Sequence, residues 1–231
     1  NLRKLVARVM TLVMLVALLP NVFLQDVQAV EKEDAGYEIY PIPQSIEYND
    51  GTLKLGSDVN IIFEEGIDDA TKNRLIEVLA IKGISYEITT EVKSDKTNFL
   101  VGLHNSNGIV DNYFKENNLN DNDHFKNFDS HIVSVKDNVV AVLGKDTDAA
   151  FYGITTLKLI FKQLDESEIK NLLIKDFSDG QWRGFVEGYY GIPWSNENRK
   201  SLIEFGGDFK MNAYIFAPKD DQYHSLKWRD L

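Results

Sequence analysis

The chain has 231 residues, 43% of them hydrophobic, enough apolar material for one or two packed cores. Its formal net charge of −11 argues against a nucleic-acid surface. The absence of cysteine excludes disulfides and thiolate metal sites. No cofactor and no metal are expected.

Residues 1–29 are a different material from the rest. Arg3, Lys4 and Arg8 make a basic start, Val9 to Leu19 is almost wholly apolar, and Pro20-Asn21 breaks the run. Val27-Gln28-Ala29 then supplies small residues at cleavage-like spacing. This is the pattern of a secretory signal peptide. The apolar run is short for a membrane span, and an uncleaved anchor is the competing reading. The mature protein is expected to be extracellular and free of the membrane, a bacterial exoprotein that relies on its core. The first residue is Asn1, so a start further upstream is expected.

Residues 30–36 read as a polar linker. From Tyr37 the pattern becomes that of a folded α/β domain. "IYPIPQSIEY" carries two prolines and suits an edge or entry strand. "DVNIIFEEG" (58–66) predicts a buried strand closed by Gly66. Asp68 or Asp69 caps a helix through Lys82, with Leu75, Val78 and Leu79 on one face and Gly83 as its stop. "ISYEITT" (84–90) and "TNFLVGL" (97–103) are strands. Residues 104–130, rich in Asn and Asp, read as a long surface loop, with His104 and His124 solvated.

"HIVSVKDNVVAVLGKD" (131–146) predicts a hairpin about Asp137-Asn138. The spacing of Ala150, Ile154, Leu157, Phe161 and Leu164 predicts a helix over 147–164, with Thr147 as N-cap. "NLLIKDF" (171–177) closes the domain, which spans 37–178 and shows no catalytic spacing.

"SDGQW" (178–182) is a joint. Gly184 to Glu187 reads as a short buried strand and 188–194 as a loop. Ser195 caps a helix to about Lys210, and "AYIFA" (213–217) is a second strand stopped by Pro218. Gly206-Gly207 weakens that helix by about 1 kcal/mol per glycine unless close packing requires them. The β-α-β pattern implies parallel strands and a right-handed crossover. Its two loops leave the carboxyl ends of their strands, the face on which (β/α)-barrels build sites.

"RGFVEGYYGIPWS" (183–195), followed by "MNAYIFAPKDDQYHSLKWRDL" (211–231), resembles the start of the catalytic barrel of the family 84 glycoside hydrolases. "DAAFYGITTLKLI" resembles a helix of the small domain that precedes the barrel there and in the family 20 hexosaminidases. The resemblance spans 37–231, weak in the first domain and strong over 183–229. It implies a small hexosaminidase-like α/β domain followed by the first βαβ unit of a TIM (β/α)8 barrel, here truncated, over 179–231. Tyr189 and Ile192 depart from the residues many relatives carry.

The implied activity is removal of β-linked N-acetylglucosamine from a glycan or glycoprotein by substrate-assisted retaining hydrolysis. The sugar's acetamide oxygen is the nucleophile, one aspartate orients it, and a second is general acid and then base. The family's aspartate pair belongs to the fourth barrel strand, so the catalytic pair is expected beyond Leu231. By the same resemblance the Gly188 carbonyl and Lys219 bind sugar hydroxyls, and Tyr190 lies against the sugar pocket.

Each of these has a plainer reading: Gly188 as a turn residue, Lys219 as a solvated charge. Tyr189 and Trp194 suit barrel packing as well as ligand contact. Glu187 reads as a buried partner of main chain or of a neighbouring base, not as an acid/base. Asp220 and Asp221 are loop carboxylates, and His224 is a structural hydrogen-bonder. A non-catalytic glycan-binding or adhesion module is the competing function.

Overall fold

The structure, a computed structural model, describes residues 36–188 and 194–216. Its main body is a seven-stranded mixed sheet in the order β1-β7-β5-β6-β4-β2-β3. The strands are β1 (Ser45–Lys54), β2 (Asp58–Phe63), β3 (Ser85–Ile88), β4 (Asn98–Leu103), β5 (Phe128–Lys136), β6 (Val139–Gly144) and β7 (Glu168–Ser178). β1, β7, β5 and β6 pair antiparallel, while β6, β4, β2 and β3 are parallel. The prolines precede β1, which takes the edge position, and β3 is the opposite edge.

Helices cover both faces, which is why β2, β4 and β6 read as continuous apolar runs. Alternate residues of one strand enter opposite cores. Phe99 and Val101 of β4 join Ile61, Val140 and Val142 under α1 (Asp69–Ala80) and α3 (Thr147–Gln163). Leu100 points the other way, with Ile62, Ala141 and Leu143, under α2 (Ile109–Glu116). The five residues expected on the inner face of α3 are all buried, as are Leu75, Val78 and Leu79 of α1.

Three local expectations are corrected. Residues 104–130 are not one loop: they contain α2 and a 3-10 turn at His124–Lys126. Gly108 at the N-cap offers no side chain, so no local capping signal exists. The cap comes instead from Glu64, just past β2. Its carboxylate accepts from the main-chain N–H groups of Leu103 (3.0 Å), Val110 (2.6 Å) and Asp111 (3.2 Å) and from the Ser106 hydroxyl. The Asn-rich flanks provide left-handed corners at Asn105, Asn107 and Asn118.

His124 is buried, not solvated. Its Nε2 donates to the His131 carbonyl (3.0 Å), and burial pushes its pKa down. His104 is half-buried and stacks on Phe125 with ring centroids 4.0 Å apart. Finally, α3 is capped by Asp146, whose carboxylate accepts from Ala149 N–H at 2.9 Å. Thr147 instead tethers α1, its hydroxyl accepting from Asp68 N–H and meeting the Thr71 hydroxyl.

Glu64→Ala should therefore destabilise the protein by about 2 kcal/mol, because it strips a helix cap and leaves part-buried donors unmet. Urea unfolding measures this, with a shift below about 0.5 kcal/mol counting against it, as expected of an ordinary surface site.

Candidate active site

Beyond β7, strand β8 (Gly184–Glu187), helix α4 (Asn196–Asp208) and strand β9 (Ala213–Phe216) form a β-α-β unit. β8 and β9 pair in parallel, Gly184 opposite Ala213 and Glu187 opposite Phe216. Ser195 caps α4, its hydroxyl accepting from Asn198 N–H. The helix stops at Asp208, two residues short of the expected end, and Lys210 takes a left-handed φ of 58° where glycine is usual. Two glycines are packing requirements. A Cβ on Gly184 would overlap the Ala213 carbonyl oxygen, and one on Gly206 would lie 2.9 Å from the Phe185 ring. Gly206 thus lets α4 sit on β8, which answers its low helix propensity.

The carboxyl ends of the strands carry a charged cluster. Glu187 is 3% exposed yet fully partnered. Arg199, in the first turn of α4, grips it with two parallel bonds, Nε to Oε2 at 2.7 Å and Nη2 to Oε1 at 2.9 Å. The Tyr214 hydroxyl of β9 donates to the same carboxylate. The Arg199 guanidinium holds the Glu187 carboxyl down at about 2, against the effect of burial, with Tyr214 and the Trp194 N–H adding to the pull. A carboxylate so held carries no proton to donate near neutrality, so Glu187 is not a general acid. It is the partner of a neighbouring base.

Gly188 follows directly. Its N–H turns back to the Val186 carbonyl at 3.2 Å. Its φ is not in the left-handed region, and a Cβ there would meet nothing within 4 Å among the described residues. Among the described residues, neither a left-handed φ nor packing calls for a glycine here. Trp194, just before the Ser195 cap of α4, is 47% exposed. Tyr190, Lys219, Tyr189, Asp220, Asp221 and His224 lie outside the described residues.

A second polar cluster seats the β-α-β unit on the sheet. Lys210 is 6% exposed, and its ammonium lies 2.5 Å from Asp176 Oδ2 of β7 and 3.5 Å from His131 Nε2 of β5. Burial, and then the Lys210 charge, push the His131 pKa down to about 3. The ring is therefore neutral, with Nδ1–H donating to the Asp129 carbonyl at 2.8 Å and the Nε2 lone pair facing the ammonium. Arg183, at the start of β8, donates to the carbonyls of Lys210 and Gly180 and lies 2.7 Å from Asp129 Oδ2. At the end of α4, Asp208 accepts from Arg74 of α1 (2.8 Å) and Lys158 of α3 (2.6 Å).

Sequence reasoning passed over Arg199, Tyr214, Lys210 and Asp176. The guanidinium and ammonium look like ordinary solvated charges on a helix. Only their spacing from a buried carboxylate reveals them, and that spacing exists only in three dimensions. Among the described residues no three His, Asp or Glu side chains come together as a metal site, and no helix is long and apolar enough to cross a membrane.

Two family models match this chain. Residues 36–177 match the family model described as glycosyl hydrolase family 20, domain 2, and residues 183–231 match that of the β-N-acetylglucosaminidases. The solved structure of CpGH84D is 71% identical with a TM-score of 0.81, covering 84% of this chain and 32% of its own. That of CpGH84B is 28% identical with a TM-score of 0.65, again covering 84% of this chain and 32% of its own. The protein O-GlcNAcase of Rattus norvegicus is 46% identical over 48 residues, 21% of this chain and 5% of its own length. The chain thus spans about a third of the length of the solved relatives it matches.

Proposed function

This chain belongs to the family 84 glycoside hydrolases, O-GlcNAcase-like and with a family 20 domain 2 over residues 36–177, and on that footing we propose that it is the amino-terminal part of a secreted β-N-acetylglucosaminidase. The observation that carries this reading is Gly188 at the carboxyl end of β8: its φ is not left-handed, no described residue would meet a Cβ on it within 4 Å, and it follows a carboxylate fixed by Arg199. In a (β/α)8 barrel, which β8, α4 and β9 would begin, that is the end where substrates bind.

The substrate is a glycan or glycoprotein ending in β-linked N-acetylglucosamine. The Gly188 carbonyl accepts from one sugar hydroxyl, Lys219 donates to another, and Tyr190 supplies apolar surface to the ring. The acetamide oxygen of the sugar attacks the anomeric carbon as the glycosidic bond breaks. An aspartate orients the acetamide, and a second protonates the leaving oxygen and then deprotonates the incoming water. Both are supplied by chain beyond Leu231, and Glu187 is neither. The domain over 37–178 carries no sugar-cleaving group.

Turnover of an aryl N-acetylglucosaminide by the complete protein is the direct test. Within it, Lys219→Ala should lower kcat/KM roughly 10- to 150-fold, the worth of one charged hydrogen bond of about 1.5–3 kcal/mol. An unchanged kcat/KM would return Lys219 to the surface. Binding of N-acetylglucosamine without any turnover would favour the glycan-binding module instead.

A further inference from the structure

We propose that Arg199 is a positioning residue for this site: it ties the carboxyl ends of β8 and β9 together and so fixes the main chain of Gly188. The inference rests on the proposed sugar-binding role of Gly188.

The guanidinium is used on both its edge and its face. Its edge makes the paired bonds to Glu187 at the end of β8, while Nη1 donates to Asn196 Oδ1 at 3.1 Å within its own helical turn. Its face lies over the Phe216 ring at the end of β9, 4.9 Å from the centroid. Glu187 extends the tie, taking the Tyr214 hydroxyl from β9 and facing the main-chain N–H of Trp194, just before the Ser195 cap of α4. One cation therefore holds both strand ends and, through Glu187, reaches both Gly188 and Trp194.

The link to Gly188 is short. Its N–H folds back on Val186, so Glu187 is the corner of a tight turn. A corner residue whose side chain is clamped cannot swivel, and the peptide that follows it keeps one direction. A displacement of about 1 Å at a substrate-contacting group can alter rates by about 100-fold, so this direction matters. Lysine can replace neither use of the guanidinium: it has no planar fork for the carboxylate and no flat face for the ring. A merely stabilising ion pair would behave differently, lowering the melting temperature while leaving substrate affinity intact.

The test compares Arg199→Lys with wild type in the complete protein. It uses aryl N-acetylglucosaminide kinetics, thermal melting, and hydrogen exchange of the Gly188 and Trp194 amides. The variant should remain folded, with KM raised about tenfold, kcat changed less than about threefold, and exchange at both amides faster by about tenfold. An active variant with unchanged KM overturns the proposal, as does unchanged exchange. Should wild type show no turnover, the proposed function fails. The exchange result then still decides whether Arg199 holds this main chain.

Discussion

Lys210→Met is expected to destabilise the protein by about 3–5 kcal/mol, the usual consequence of removing one partner from a buried ion pair. Methionine keeps the length of the stem and removes only the charge. What remains is Asp176, 5% exposed, whose Oδ2 loses the ammonium. Its Oδ1 keeps the N–H groups of Phe177 (2.9 Å) and Gln44 (3.3 Å), so the aspartate is not stripped bare, but its charge is uncompensated. His131 Nε2, 3.6 Å from Asp176 Oδ2, is a poor substitute for the ammonium, because burial is the largest influence on its pKa and opposes its charging. With this many residues in the fold, each kcal/mol is worth about 2–4 °C, so the melting midpoint should fall by roughly 6–20 °C. The double variant Lys210→Met, Asp176→Asn should recover about 1–3 kcal/mol of the loss, since the two groups share one interaction. A single-variant loss below about 1 kcal/mol would mean that water reaches Asp176 and the pair is effectively a surface one.

Gly184→Ala should disrupt the β8–β9 pair at a cost of about 3 kcal/mol, the upper end for overpacking. The added methyl group would overlap the Ala213 carbonyl oxygen, which is main chain and has no rotamer to yield. Gly184 is also the register partner of Ala213, so any relief must part the strands where they pair. The damage should be confined. Amides of Phe185 to Glu187 and Tyr214 to Phe216 should exchange faster, while those of β4 and β6, deep between two cores, should not. Uniform acceleration over both groups, or none in either, would contradict this account.

What could be read in advance follows a physical line. Elements whose signal is local were legible: the apolar runs of β2, β4 and β6, the inner face of α3, and the alternation of two short strands about one helix in residues 184–216. α2 was not, because its N-cap residue is Gly108 and its capping carboxylate, Glu64, sits 46 residues upstream of the Val110 N–H it accepts from. Gly206 gave only a warning of weak helix, and the Phe185 ring explains it. At the site, the burial of Glu187 beside a basic partner was legible. The identities of the partners were not, because Arg199 and Lys210 acquire meaning only when β8, α4 and the large sheet are placed together. Helix charges are ordinarily solvated, and sequence spacing has no way to mark the exception.

The remote cap on α2 also orders events in time. Eight residues are too few to hold a helix in water, since the first turn is an unfavourable nucleus. The anchor for this one, Glu64, comes into place only after β2 has aligned with β4, because two of its bonds reach Leu103 and Val110 across that pairing. The segment from His104 to Glu116 therefore cannot seed the fold; it is a passenger of the parallel strands. Mutations along it should speed unfolding and leave the folding rate nearly untouched, the behaviour of late-forming structure. Asparagine-rich sequence is tolerated there for the same reason: no early step depends on it.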